Sequence, residues 1–274
     1  MNGVKQGGVI SPILFCLYMD ELLTRLRDAG FGCYVSCWFV GALAYADDLV
    51  LLAPSATAMR RLLSVCDSFA SEYNMLFNAK KSKCLIFRPL NYRSGIKSGS
   101  PTFTIGGNGI ENVDQWPHLG HIVSTNLNDQ ADILYRRNCF IGQVNNVLCT
   151  FGKLDSFTMN RLFKVYCSSF YGCELWDLDN KQINDLCIAW RKGLRRVWRL
   201  PNTTKGDMLS VISDSIPVYD ELCRRFLNFV FSCMNCGSEL VSFYRTTAML
   251  SAVYAVVVCL CVCVCHTPVL YQNG

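Results

Sequence analysis

The sequence has 274 residues, 51% of them hydrophobic and 17% charged, with a formal net charge of +5. That length and composition exclude a disordered chain and leave room for one large core or two modest domains. The charge is unevenly spread: Lys181, Arg191, Lys192, Arg195, Arg196, Arg199 and Lys205 meet only Asp185 in one short segment, and a cationic stripe on a near-neutral body is the footprint of a polyanion binder.

The chain opens on Gly3-Val4-Lys5-Gln6-Gly7-Gly8-Val9-Ile10, whose small residues let a ligand approach the backbone near a helix start. Its glycine spacing fits neither a P-loop nor a dinucleotide fingerprint. Ser11-Pro12 predicts that start, with serine as N-cap and proline in the first helical position. Leu14, Tyr18, Leu22 and Leu26 then recur every four residues until Gly30 stops the helix. Two apolar runs follow, 38–45 and 49–53, separated by Ala46-Asp47-Asp48, and their closeness predicts a hairpin. From Ser55, a second helix carries Met59, Leu62, Leu63, Cys66, Phe69 and Tyr73 on one face. A polar turn, 78–82, leads to a strand over 84–87. Residues 103–105 and 109–113 form a second hairpin around Gly-Gly-Asn-Gly, ending in Trp116-Pro117-His118-Leu119-Gly120.

Beyond Asn128 helical patterns take over, at about 129–150, 156–177, 180–199 and 217–235. Within 188–200, Trp190, Leu194, Val197 and Trp198 share one face while Arg191, Lys192, Arg195, Arg196 and Arg199 crowd the rest. Such a helix presents cations to nucleic-acid phosphates, although a solvated charged face is the ordinary meaning of such residues. Residues 248–265 carry no charge and meet the length rule for a membrane span. Their second half nearly alternates Val and Cys, as a translated GT dinucleotide repeat would; varied Val and Cys codons would rule that origin out. With no signal peptide at the N-terminus, the 17 cysteines are expected to be mostly buried thiols in a reducing compartment. Cys233 and Cys236 lack the further ligands a structural zinc needs.

Asp47 and Asp48 are the strongest local feature. Two carboxylates between buried strands are costly unless water, a partner or a metal takes the charge. Side chains alternate along a strand, so only one of the two can point into a site on a given face. Asp47 is expected to be the metal ligand, with Asp48 in an auxiliary electrostatic role. On the hairpin alone, a solvated turn is the commoner meaning of two aspartates.

Taken in order, GVKQGGVISPILF with Tyr18-Met19-Asp20, AYADDLVLLA, FNAKKSKCLIF and PHLGHIVS resemble successive motifs of reverse transcriptases from LINE-type non-LTR retrotransposons. The resemblance covers about residues 3–125 and continues more loosely through the helical part. It implies an α+β fold: a truncated polymerase palm, an antiparallel sheet with packed helices, over 1–125, then a helical thumb-like region over 126–245 and an apolar tail over 246–274. It implies RNA-directed DNA polymerase chemistry on an RNA template, a DNA primer and deoxynucleoside triphosphates, with two Mg²⁺ ions. By position, Tyr45, Asp47 and Asp48 match the metal-binding motif, and Gln6 and Gly7 the loop packed on nucleotide and template. Lys81 matches a lysine near the triphosphate, and Leu119-Gly120 the hairpin that grips the primer.

The same resemblance places another essential aspartate on a palm strand upstream of the Gly-Gln-Gly loop, where this sequence has only Met1 and Asn2. A two-metal site needs carboxylates from more than one strand, so the chain alone is expected to have negligible polymerase activity. The rival expectations are a non-catalytic nucleic-acid-binding remnant and a membrane-associated protein held by 248–265. The resemblance itself points to nucleus or cytoplasm.

Overall fold

The computed structural model describes residues 9–87, 100–238, 241 and, as backbone, 261–266. It separates into two compact units: Met1–Trp116 with Ser124–Leu127 and Ala248–Gly274, and Pro117–Val123 with Asn128–Thr247.

In the first unit, α1 (Ser11–Asp28) begins one residue earlier than expected, because Ile10 and not Ser11 is the N-cap. Its fully buried contacts begin at Met19, with Phe15 only partly buried against the core. Met19, Leu22 and Leu26 are buried, whereas Leu14 and Tyr18 on the expected stripe are exposed, as is Leu17 beside it. The apolar run before Asp47 also divides. Trp38–Phe39 is a short strand (β2) paired with β1 (Tyr34–Val35), and only Ala42–Tyr45 (β3) enters the hairpin with β4 (Asp48–Ala53). Gly32 and Gly41 explain the break: the Phe39 ring sits where a Cβ on either residue would be, 2.7 and 2.5 Å away.

The second helix, α2 (Ala56–Tyr73), forms as expected, with Ser55 Oγ accepting from the Ala58 N–H. Met59, Leu62, Leu63, Cys66 and Phe69 pack it against Leu49, Leu51 and Ala53 of β4, all within one core. Burying each large aliphatic side chain there contributes about 1.5–3 kcal/mol. Strand β5 (Lys83–Ile86) follows the Asn78 turn, and β6 (Phe103–Ile105) pairs with β7 (Asn108–Asn112). Gly106 and Gly107 both have positive φ, the backbone that a two-residue hairpin turn demands.

The sheet order, β3-β4-β10-β5-β7-β6, contains an element the sequence did not announce. Strand β10 (Cys261–His266) lies between β4 and β5 and runs antiparallel to both. Residues 261–265 of the expected membrane or repeat segment are thus part of a sheet, while 248–260 fall outside the described residues. No helix among the described residues is long and apolar enough to cross a membrane.

A hairpin of β8 (Gln115–His118) and β9 (His121–Ser124) turns through Leu119-Gly120, both at positive φ. The second unit is otherwise helical: α3 (Gln130–Phe151), α4 (Ser156–Leu162), α5 (Gln182–Val197), α6 (Gly206–Ser213) and α7 (Val218–Met234). Instead of one helix over 156–177, α4 passes into a π-helical turn at Phe163–Cys167 and stops. A short 3-10 turn, Cys173–Leu175, follows. The core joins Phe140, Val144, Phe163, Trp176, Trp190 and Leu194. Gly193 lets α5 approach closely, since a Cβ there would lie 3.1 Å from the Phe163 ring and 3.3 Å from that of Phe140.

The cysteines are less uniformly buried than expected. Cys66, Cys167, Cys173 and Cys187 are inside, but Cys16, Cys37, Cys149 and Cys236 are exposed. Burial pushes the Cys167 and Cys173 thiols up to about 11, which keeps them protonated and unreactive at neutral pH.

Candidate active site and nucleic-acid interface

The hairpin β3–β4 closes on the pair Tyr45↔Asp48. That leaves Ala46 and Asp47 as its two turn residues, with Ala46 at φ 51°. Asp47 therefore stands at the tip and Asp48 on the first rung of β4. Both are half-buried, whereas Tyr45 is 67% exposed. The turn is short because apolar pairing resumes immediately: Leu49 and Leu51 are fully buried and oppose Ala44 and Ala42.

Lys81 belongs to the turn before β5, where its N–H donates to the Asn78 carbonyl at 3.1 Å and the Asn78 side chain at 3.2 Å. The next residue, Ser82, is fully buried and its hydroxyl donates to the Asn78 carbonyl. These bonds fix the turn and leave the Lys81 side chain exposed. The register of β10 brings Lys81 into relation with the aspartates. Val264 pairs with both Val50 and Lys83, so β4 and β5 run parallel to each other and both start at the same end of the sheet. Asp48, on β4, and Lys81, in the turn that leads into β5, share that end, and the axes of β4 and β5 are roughly 10 Å apart with β10 between them. His266 is the β10 residue opposite Asp48. Gln6 and Gly7 lie outside the described residues.

Two adjacent carboxylates are hard oxygen ligands suited to Mg²⁺, which is commonly held by one or two carboxylates together with substrate phosphates. Asp47 at the hairpin tip, with Asp48 beside it, offers the donor chemistry for one such ion. A second needs a further carboxylate, and among the described residues no group of three His, Cys, Asp or Glu side chains is placed to hold a metal.

In the other unit, the Leu119-Gly120 turn is anchored by its neighbours. The Gly120 carbonyl accepts from Arg136 Nη2, and the Arg136 guanidinium lies 5.5 Å from the Tyr171 ring centroid. Beneath the turn is a polar cluster that sequence reasoning missed. Asp132, with no exposed surface, accepts from the Ile122 N–H at 3.0 Å and the Trp176 Nε1–H at 2.8 Å. His121 Nδ1 approaches it to 3.2 Å, off a hydrogen-bond line, a contact that is an ion pair when the imidazole is protonated. Burial pushes the Asp132 carboxyl up, but His121 and the two N–H donors outweigh it and hold the carboxyl below its ordinary value. The neighbouring Asp132 raises His121. The missed signal was an aspartate on the apolar face of a predicted helix, beside Ile133.

The five cations of α5 and its end do not act alike. Arg195 donates to the Thr204 carbonyl through Nε and Nη2, and the Arg191 stem packs where a Gly206 Cβ would be. These two hold the α5–α6 connection. Arg199 donates to the Gly152 carbonyl at the end of α3. Lys192 and Arg196 are exposed, and with Arg137 of α3 they rim a groove of about 220 Å³ floored by Phe140, Ile141, Val144 and Ile188. Arg196 donates to Asn145 at 2.6 Å; a guanidinium has five N–H donors, so others remain for a phosphate.

Residues 1–123 match the family described as "Reverse transcriptase (RNA-dependent DNA polymerase)". The chain is 33% identical over 128 residues to a "Retrovirus-related Pol polyprotein from type-1 retrotransposable element R2" of Nasonia vitripennis, covering 45% of this chain and 12% of that protein. It is 34% identical over 122 residues to the type-2 R2DM polyprotein of Drosophila melanogaster, covering 43% and 11%. With the type-1 R1 polyprotein of Bradysia coprophila it shares 28% identity over 189 residues, covering 64% of this chain and 17% of that one. The chain thus spans only about an eighth of the R2 polyprotein of Nasonia vitripennis. Residues 1–123 are thus similar to the reverse transcriptases of non-LTR retrotransposons.

Proposed function

We propose that this chain is the part of an RNA-directed DNA polymerase palm that carries the aspartate hairpin, and that it binds template–primer without extending it unaided. The observation that carries the reading is the two-residue turn closed by Tyr45↔Asp48, which sets Asp47 at the tip. Lys81 stands at the same end of the sheet.

The chain's own residues have distinct parts in this reading. Asp47, with Asp48 in an auxiliary electrostatic role, would hold a divalent ion, and an ion bound there would supply positive charge beside the reacting phosphate and primer hydroxyl. Lys81 neutralises triphosphate oxygens as a mobile point charge. Leu119-Gly120, clamped through Arg136, presents a rigid turn to the primer backbone. Arg137, Lys192 and Arg196 offer cations to phosphates. In-line phosphoryl transfer is mostly positioning and electrostatics, so a site short of a carboxylate loses rate by orders of magnitude.

The test is RNA-templated primer extension by the full chain with Mg²⁺, beside binding of the same template–primer. The reading expects salt-sensitive binding and no extension above the level of Asp47→Ala. Extension that Asp47→Ala abolishes would overturn the inactivity, and absent binding would overturn the nucleic-acid role.

A further inference from the structure

In the second unit, residues 168–176 run from the π-helical turn through the 3-10 turn and are pinned at both ends. Arg225 Nη2 donates to the Ser168 carbonyl at 3.3 Å, and Trp176 Nε1 donates to Asp132. Phe170 and Cys173 are buried, so the backbone between them is anchored in the core. Tyr171 stands between these two residues and is nevertheless 58% exposed. Gly172 turns the chain sharply at φ 80°, where a Cβ would lie 3.2 Å from His121 Nδ1. This close approach sets the Tyr171 ring against the β8–β9 turn: a Cβ on Gly120 would lie 3.1 Å from that ring.

Arg136 ties a second ring to the first. Its guanidinium donates to the Gly120 carbonyl and lies 5.5 Å from the ring centroid of Tyr171 and 5.6 Å from that of Tyr135. Its side chain is largely buried, with Nε 3.9 Å from the Asp132 carboxylate, so the cation is held in place. Tyr135 is 50% exposed, and neither tyrosine belongs to the hydrophobic core of this unit. Packing therefore does not account for the two rings. Exposed aromatic rings on a rigid support offer flat faces to a planar π partner. The next residue, Arg137, lies about 100° further round α3 and rims the groove that Lys192 and Arg196 share. A strand stacked on the tyrosines thus meets cations for its phosphates on the adjoining face, which selects nucleic acid over an uncharged partner.

We propose that Tyr171 and Tyr135, bridged by Arg136, form a stacking platform for an unpaired nucleobase beside the Leu119-Gly120 turn. Bases inside a duplex have both faces covered by their neighbours, whereas an unpaired base can stack on a side chain. Every base has such a face, so the platform is indifferent to sequence. The proposal rests on the nucleic-acid role proposed above and adds to it a contact that phosphates do not make.

The experiment measures binding of the full chain to a short fluorescent oligothymidylate and to an abasic strand of the same length, which keeps the phosphates and lacks the bases. Tyr171→Ala is expected to weaken oligothymidylate binding about fivefold or more, the low end for one stacked base, and to leave the abasic strand unchanged. Tyr135→Ala is expected to act in the same direction, and Tyr171→Phe, which keeps the ring, to bind like the parent chain. Equal losses for both strands overturn stacking, and an undiminished affinity of Tyr171→Ala for oligothymidylate overturns the platform while the nucleic-acid reading stands. A parent chain that binds neither strand overturns that reading and the platform with it. A measurement that needs no variant is photocrosslinking of a strand carrying 5-iododeoxyuridine to the parent chain. Crosslinks are expected at Tyr171 or Tyr135, and crosslinks confined to other residues overturn the proposal.

Discussion

Trp176 Nε1 donates a 2.8 Å hydrogen bond to Oδ2 of Asp132, a carboxylate with no exposed surface. The two residues lie 44 apart in sequence, so this bond ties the start of α3 to the 3-10 turn that follows α4. Removing the carboxylate would leave the indole N–H, the Ile122 N–H and the His121 side chain without their shared partner. Asp132→Ala should therefore cost about 3–5 kcal/mol, the penalty of breaking a buried charged cluster. Trp176→Phe should cost less on the polar side, about 1–3 kcal/mol, since Asp132 keeps its other partners. Urea unfolding of the two variants checks the ranking. Equal midpoints for Asp132→Ala and the parent chain would remove the cluster from the account.

The same cluster predicts a pH dependence with a definite sign. His121 is raised by Asp132, so its contribution is full below about pH 6.5 and is lost as pH rises through the folded value. Asp132 is lowered, so its contribution is full above about pH 3.9 and is lost as pH falls through the folded value. Between those limits the hairpin β8–β9 is held most firmly. Raising the pH from 6 to 9 should lower the urea midpoint of the parent chain more than that of His121→Gln. Parallel pH profiles would contradict this assignment.

The cations of α5 should separate in nucleic-acid binding. Removing one cation that neutralises a phosphate should reduce the slope of log affinity against log salt by about 0.7–0.9. Arg137→Ala, Lys192→Ala and Arg196→Ala should each show that reduction. Arg195→Ala should leave the slope unchanged and instead loosen the α5–α6 connection, because its guanidinium is committed to the Thr204 carbonyl. Filter binding over a salt series distinguishes the two groups; an equal fall for all four would mean that the groove does not face the nucleic acid.

Gly193 offers a packing test. Alanine favours helix by about 1 kcal/mol over glycine, yet a Cβ here would press on Phe163 and Phe140. Overpacking of that kind costs about 1–3 kcal/mol, so Gly193→Ala should be neutral to destabilising by about 2 kcal/mol. A clear gain in thermal midpoint would show that α3 and α5 can separate without loss.

Local signals in the sequence carried much of this structure. Ser55 and the stripe from Met59 to Phe69 specify α2 because cap and periodicity agree. The aspartate hairpin was legible because two apolar runs flank a turn too short for anything else. What escaped depends on distant partners. Val262 and Val264 look like part of a membrane segment until β4 and β5 supply edges for them. Short α6 was missed between Lys205 and Asp214, where eight residues give too little periodicity to notice. Gly193 read only as a weak helix former, because the Phe163 and Phe140 rings that require it come from other helices. The exposed first half of α1 shows the converse: its periodicity promises a buried face that the described residues do not cover. At the candidate site, Asp47, Asp48 and Lys81 were found as separate turn residues, and only the sheet register sets them at one end.

The most direct test of the central claim is a Mn²⁺ titration of the full, isotope-labelled chain, with Mn²⁺ as a paramagnetic stand-in for Mg²⁺. The account predicts selective broadening of amides from Tyr45 to Leu49, reversed by excess Mg²⁺ and abolished in Asp47→Ala. Broadening elsewhere with this hairpin untouched, or broadening that survives Asp47→Ala, would contradict the assignment of these aspartates as the metal-holding pair.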